Sequence, residues 1–468
     1  MAPDTQTLVL HCHRLGFDDL DDEVVARAKF LLLDYLGVAI AGSLSESSSP
    51  VYRMLYRSAC LGPCTVIGTA TKTSPEFAAL ANGTAAHSVE LDDTHQAGSI
   101  HPGVVIFSTA IALSEAHPEI AAGQFIAAVV AGYDCAARVA MAAQPKIHYA
   151  LGFHPTSTCG VFGAAVTAAK LLQLDQKQML SAVGIAGSMA AGSLEFLAEG
   201  AWTKRLHPGL AAQNGILAAK LAAEGFRGPR TILEGRDGFF HAYSRQPVPE
   251  LETRQLDRGF EILHTSVKPH ACCRYMQAPI DGLIDLAREH DIHPEQIERV
   301  EVAVLEAGWP LVCEPRHRKY SPENAVDAQF SMPYGAAVAL IHRVAGLDQF
   351  SGASFDSLQL RTLMGKVTLT KDRRLEEKFP QEWPALVQIK LQSGETYEKF
   401  VRYPKGDPQN PLTWRELSAK FESLASRVFP TPRCREMIQS VENLNSSAAL
   451  GDLWKLTARS GSRSLPAN

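Results

Sequence analysis

From Asp21 to about Tyr243 the sequence is one helical segment after another, unusually rich in Ala and Gly, and this constrains the fold more than any other feature. Val24, Val25, Ala28, Leu31, Leu32, Tyr35 and Leu36 recur at helical spacing behind an acidic first turn, so a buried amphipathic helix is predicted to start near Asp21. Further helices are predicted over 75–86, 103–116, 121–141, 160–172, 176–191 and 211–224. Small side chains let helix axes approach closely, which specifies a compact bundle with little room for water.

The pattern changes near Leu263. A helix is still expected over 278–289, but 299–305 places Val300, Val302 and Val304 on one face, and 366–370 and 387–391 alternate in the same way. Ser393-Gly394 turns the last of these back into 397–402 as a hairpin. Beyond Pro404, a helix over 413–428 carries Leu417, Phe421 and Leu424, followed by short helices over 433–443 and 447–456 and a loose tail from Ser460. The expected architecture is mainly α: a large helical domain built from residues 1–264 and 405–468, with an inserted, smaller α+β lid domain over 265–404.

The chain of 468 residues is too long for one ordinary core. A net charge of -5 makes no electrostatic case for nucleic acid. No apolar run reaches about 18 uninterrupted residues, and the first residues lack the basic and apolar regions of a secretory signal, so the expectation is a cytoplasmic protein without a membrane span. Nine cysteines, an odd number, follow no framework spacing. Cys60 and Cys64 stand four apart and Cys272 and Cys273 are adjacent, which is neither a zinc ribbon nor an iron–sulfur set, so reduced, structural thiols are expected.

Against this apolar background one segment stands out. Residues 85–103 carry three carboxylates, three histidines and three hydroxyl groups between two long apolar helices. Unpaired buried polar groups are costly, so the segment is expected to line a polar cavity where acid, base and hydrogen-bond donors are wanted together. A solvated loop with helix caps is the plainer alternative, and a metal site using His87, Asp93, His95 and His101 is a further one, although no ligand motif such as HExxH is present. Two other segments repeat the pattern. His154 precedes Pro155, whose helix start exposes backbone N–H groups suited to a carboxylate. Lys204, Arg205 and His207 fall in what reads as an ordered turn between Trp202 and Pro208-Gly209, where lysine and arginine suit an anionic ligand. Lys268, Arg274 and Tyr275 sit where the two domains should meet, a favoured place for a pocket.

There is no GxGxxG dinucleotide turn, no phosphate-binding GxxxxGK[ST] and no GxSxG nucleophile elbow. Histidines, carboxylates and cations without these motifs suit proton transfer beside a carboxylate, where a carbanion or enolate needs a base and a positive field.

Four segments in order, Asn82-Gly83 with 87–94, then 152–156, 203–209 and 268–273, together resemble the MmgE/PrpD family, and the resemblance runs from about residue 8 to 455. It implies a helical domain with a lid domain, a homodimer, and catalysis on di- or tricarboxylic acids without metal or organic cofactor. By the same resemblance Glu90 and Thr94 fall at acidic and hydroxyl positions of the decarboxylase pocket, and His101, His154 and Lys204 match its histidines and lysine. The dehydratases of propionate metabolism carry an aspartate-histidine segment where this chain has Gly152-Phe153-His154-Pro155, which favours the decarboxylase and epimerase members. The animal decarboxylases have a histidine near Cys273. The expected activity is therefore a cofactor-independent lyase on a citrate- or aconitate-like acid, by decarboxylation or dehydration. Epimerisation in the same pocket and non-catalytic polycarboxylate binding are the alternatives. His101, His154, Lys204 and Glu90 are the expected catalytic groups; Thr94, Asp93, Arg205, His207, Lys268 and Tyr275 are expected to bind substrate.

Overall fold

The computed structural model describes residues 5–461 apart from 59, 246, 248–255, 257–258, 351–356, 378 and 380. The loose tail expected from Ser460 lies almost wholly outside the described residues. The protein is mainly α. Helix Asp22–Gly42 starts where expected, with the Asp21 carboxylate accepting a hydrogen bond from the Val24 N–H at 2.9 Å. Helices Pro75–His87, Gly103–Ala116, Ala122–Ala142 and Gly160–Leu171 follow the sequence expectation to within a residue. Helix Ala122–Ala142 is long and apolar enough to cross a membrane by length and composition, but 94% of its most apolar stretch is buried inside the protein.

Two helices depart from expectation. The helix expected over 176–191 ends at Gly187, which packs so closely on Ile232 that a Cβ there would lie 2.2 Å from its side chain. The helix expected to begin at 211 begins at Thr203, so Lys204, Arg205 and His207 occupy its first turns and not a loop. Pro208 lies inside this helix, a placement that ordinarily costs about 3 kcal/mol. Packing across the next residue offsets it: a Cβ on Gly209 would lie 2.2 Å from the Leu80 carbonyl, and one on Gly83 would lie 2.8 Å from the Gly209 Cα. Only glycine permits this crossing, and it sets the C-terminal end of Pro75–His87 beside the N-terminal end of Thr203–Ala223.

The second half contains a four-stranded sheet in the order Val367–Thr370, Ile297–Ala303, Ala385–Leu391, Thr396–Val401. The first pair is parallel and the others antiparallel, with Ile389 opposite Tyr397 in the expected hairpin. Side chains of Ala385–Leu391 alternate strictly between buried and half-buried positions. Helix Gln277–Glu289 covers the two antiparallel strands, and helix Met332–His342 packs on it and on Val367–Thr370. The latter helix was not anticipated, because its continuous apolar run has no periodicity to read. Helix Trp414–Ala425 returns to pack on Asp22–Gly42, and Trp454 donates from its indole Nε1 to Ser114 Oγ at 3.0 Å. None of the nine cysteines forms a disulfide among the described residues.

One small element decides where the site forms. Thr94–His95 pairs antiparallel with Thr265–Ser266, Thr94 opposite Ser266, which brings the polar segment after Pro75–His87 against the chain leading to Lys268.

Candidate active site

The segment 88–102 leaves helix Pro75–His87 and folds back on itself before Gly103–Ala116. Glu90 adopts a left-handed backbone with φ 54°, a conformation that costs a non-glycine residue roughly 1–2 kcal/mol. What holds it there is its own carboxylate, clamped between two ammonium groups: Oε1 accepts from Lys204 Nζ, and Oε2 lies 3.5 Å from Lys268 Nζ. Lys268 also stands 3.3 Å from Asp92 Oδ1.

Asp92 is the hub. Its Oδ2 accepts from His87 Nδ1 at 2.7 Å and lies 3.1 Å from His101 Nδ1. His101 Nδ1 also donates to the Asp93 carbonyl at 2.8 Å, and Thr94 Oγ1 lies 3.4 Å from it. The Asp92 carboxylate and the Asp93 carbonyl can only accept, so Nδ1 carries the proton and Nε2 is the bare, basic nitrogen. His87 packs edge-on against His101 with ring centroids 4.8 Å apart and stacks on His154 at 5.9 Å. The Nδ1 atoms of His154 and His207 are 3.0 Å apart.

Burial alone would raise both carboxylates. The basic neighbours outweigh it: Lys204, Lys268 and His87 bring Glu90 down to about 2, and His87, Lys268 and His101 hold Asp92 well below the usual carboxylate range. Lys268 is raised above its ordinary value, since Asp92 and Glu90 overcome its desolvation. Burial takes His101 down to about 4, and burial reinforced by His207, His87 and Lys204 puts His154 well below the ordinary histidine value. The centre therefore sets the ionised carboxylates of Glu90 and Asp92 and a charged Lys268 beside neutral His101 and His154 at pH 7.

Of the residues singled out in the sequence, Glu90, Thr94, His101, His154, Lys204 and Lys268 come together here. Four others do not stand where expected. Asp93 turns its carboxylate away, accepting from the Gly103 N–H at 2.9 Å and the Tyr133 hydroxyl at 2.7 Å, because consecutive residues of this loop face opposite sides. Arg205 leaves the helix in a different direction from Lys204 and donates to Ser47 Oγ at 3.2 Å, on a cleft of about 1080 Å³ also lined by Ser88, Val89, Tyr320 and Gln329. His207 is hydrogen-bonded to the centre through His154 and lines a separate cavity of about 530 Å³. Tyr275 stacks on Trp383, with ring centroids 4.4 Å apart. The helix start after His154 is a single turn, Pro155–Thr158, and its Thr156 Oγ1 is taken by the His101 N–H at 3.1 Å. Sequence reasoning did not assign Asp92 or Tyr133, and considered His87 only as a metal ligand.

The alternative metal set is not assembled. His95 Nε2 bonds Glu261 at 3.0 Å and Asp93 faces Tyr133, both away from His101. His87, Asp92 and His101 do offer ligand atoms within 4.8 Å of one another. There, however, both Nδ1 atoms already point at Asp92, and the Lys268 ammonium would repel a cation.

Fold and site together define a mainly helical protein with a buried acid–base centre flanked by two lysines. The chain belongs to the MmgE/PrpD family: the N-terminal domain of that family matches residues 6–252 and its C-terminal domain residues 270–446. It is 30% identical to a cis-aconitate decarboxylase-like protein, oryM, of Aspergillus oryzae, over 94% of this chain and 94% of that protein. It is 27% identical to a cis-aconitate decarboxylase of Aspergillus terreus, covering 95% of this chain and 94% of the relative. A cis-aconitate decarboxylase of Mus musculus is 28% identical over 93% of this chain and 89% of that protein.

Proposed function

We propose that the protein is a lyase that decarboxylates an aconitate-like tricarboxylic acid without metal or organic cofactor. The observation that carries this reading is the pairing of two charged lysines, fixed by Glu90 and Asp92, with neutral His101 and His154 around one centre. Lys204 and Lys268 supply the positive field that binds substrate carboxylates and steadies the carbanion left when CO2 departs. His154 is suited to return a proton to that carbanion, and His101, with its bare Nε2, to orient or move a second one. Full-length similarity to proteins named for decarboxylation favours loss of CO2 over loss of water.

The test is product analysis after incubating the purified protein with citrate, methylcitrate, cis-aconitate and iminodisuccinate, before and after prolonged chelation. CO2 with itaconate from cis-aconitate, unaffected by chelation, is the expected result. Water loss, stereochemical inversion or no turnover would each replace the reading, respectively by a dehydratase, an epimerase or a binding protein. Activity lost on chelation and restored by one divalent ion would make His87, Asp92 and His101 a metal site.

A further inference from the structure

We infer that His207 is a proton relay between His154 and solvent, not a substrate-binding group. Its place in the fold is the basis. His154 is buried, 2% exposed. Its backbone N–H is bound to the Gly192 carbonyl at 3.0 Å, its ring stacks on His87, and Phe196 lies edge-on at 6.3 Å. The one side-chain hydrogen bond its imidazole makes among the described residues is Nδ1 to Nδ1 with His207, at 3.0 Å. His207 in turn lines the cavity of about 530 Å³, whose rim residues Ser193, Glu195 and Glu199 are exposed. Two imidazoles therefore span the wall between the buried centre and a solvent-accessible space.

The position of His207 is held independently of any substrate. Ser157 Oγ donates to its backbone carbonyl at 3.2 Å, and the helix carrying it is locked against Pro75–His87 at the glycine crossing. Because both rings are neutral, a proton between the two Nδ1 atoms belongs to one of them at a time, and the line between them is a path for transfer.

This inference rests on the proposed lyase reaction, which consumes one proton per turnover: the C–C bond to the leaving carboxylate breaks, CO2 departs, and the electron pair left on carbon takes a proton. In the relay, His154 gives that proton from Nε2 while its Nδ1 accepts the proton held on His207 Nδ1. As Nδ1 gives up its proton, His207 Nε2 takes one from water on the cavity side, and the hydroxide formed is neutralised in bulk. One solvent proton is used for each CO2 released. Ring rotation and exchange with water restore the starting tautomers before the next turnover.

Glutamine at 207 keeps an amide that can donate to His154 but cannot pass a proton on. His207→Gln should lower kcat roughly tenfold or more with KM within about twofold of wild type, and His207→Ala should be rescued in proportion to added imidazole. A second measurement needs no turnover: in ¹⁵N-histidine-labelled protein, exchange of the His154 ring proton with water should slow in His207→Gln. Unchanged kcat and unchanged exchange would overturn the relay. A fall in kcat with normal exchange and no imidazole rescue would equally overturn it, leaving a packing role. Slowed exchange in a protein that turns over none of the acids would uphold the proton path while removing the lyase reading.

Discussion

Asp92 and Asp93 are adjacent, both carboxylates, and both buried, yet they live in opposite electrostatic surroundings. Asp92 faces Lys268, His87 and His101 and is held ionised far below its ordinary range. Asp93 faces the Tyr133 hydroxyl and the Gly103 N–H; burial raises it to about 7, with Asp92 and Asp34 adding to the shift against the Tyr133 hydrogen bond. The difference shows that polarity in this loop serves two purposes. One carboxylate organises the reactive groups, and the other anchors the loop to helices Gly103–Ala116 and Ala122–Ala142 from behind.

Replacing each in turn gives the largest effect that can break this contrast. Asp92→Asn leaves Lys268 short of a counter-charge and both His87 and His101 without their shared anionic acceptor. Removing one member of a buried ion pair costs about 3–5 kcal/mol, so denaturant unfolding should show a loss of that order and turnover should fall at least a hundredfold. Asp93→Asn keeps an acceptor for Tyr133, and its loss should be about 1 kcal/mol or less. Comparable losses in the two variants would end the distinction.

A second, smaller contrast sits on neighbouring residues of helix Thr203–Ala223. Lys204→Ala should raise KM roughly tenfold to a hundredfold, the worth of a charge-assisted hydrogen bond of about 1.5–3 kcal/mol. Arg205→Ala, whose guanidinium is bound to Ser47 on the separate cleft, should change KM less. If Arg205→Ala is the more damaging, substrate carboxylates bind at the cleft, and the lysine pair is structural.

A separate signature is in the pH dependence of stability. A folded Asp93 that titrates near 7 keeps its proton while the unfolded chain, near the ordinary value of 3.8, has lost it. The unfolded state then binds fewer protons, so this group makes stability decline as pH rises from about 4 to about 7. Asp92 works in the other direction: its folded value is depressed, so its stabilisation is present above the unfolded value and is lost as pH falls below it. Asp93→Asn should therefore remove a falling component from the stability profile between pH 4 and 7, as read by thermal unfolding in a pH series. An unchanged profile would place Asp93 among ordinary ionised carboxylates.

Much of the scaffold was legible. Helix Trp414–Ala425 and the hairpin at Ser393-Gly394 announce themselves through periodicity, because one face of each element must be buried. Helix Met332–His342 and the early start at Thr203 were not, the first because an evenly apolar run has no face to detect, the second because Pro208-Gly209 reads locally as a turn. The glycine crossing that overrides this is a contact with Leu80, remote in sequence and invisible to local propensity.

The sequence by itself determined that a polar, titratable segment interrupts an apolar helical bundle, and it marked Glu90, His101, His154, Lys204 and Lys268 as candidate groups. Tertiary structure alone decided that Asp92 and not Asp93 faces the histidines, that Lys204 and not Arg205 reaches Glu90, and that His207 stands behind His154. The physical reason is that irregular backbone has no period from which side-chain direction can be read. Direction is set instead by a left-handed turn at Glu90, the pairing of Thr94–His95 with Thr265–Ser266, and a glycine contact between two helices.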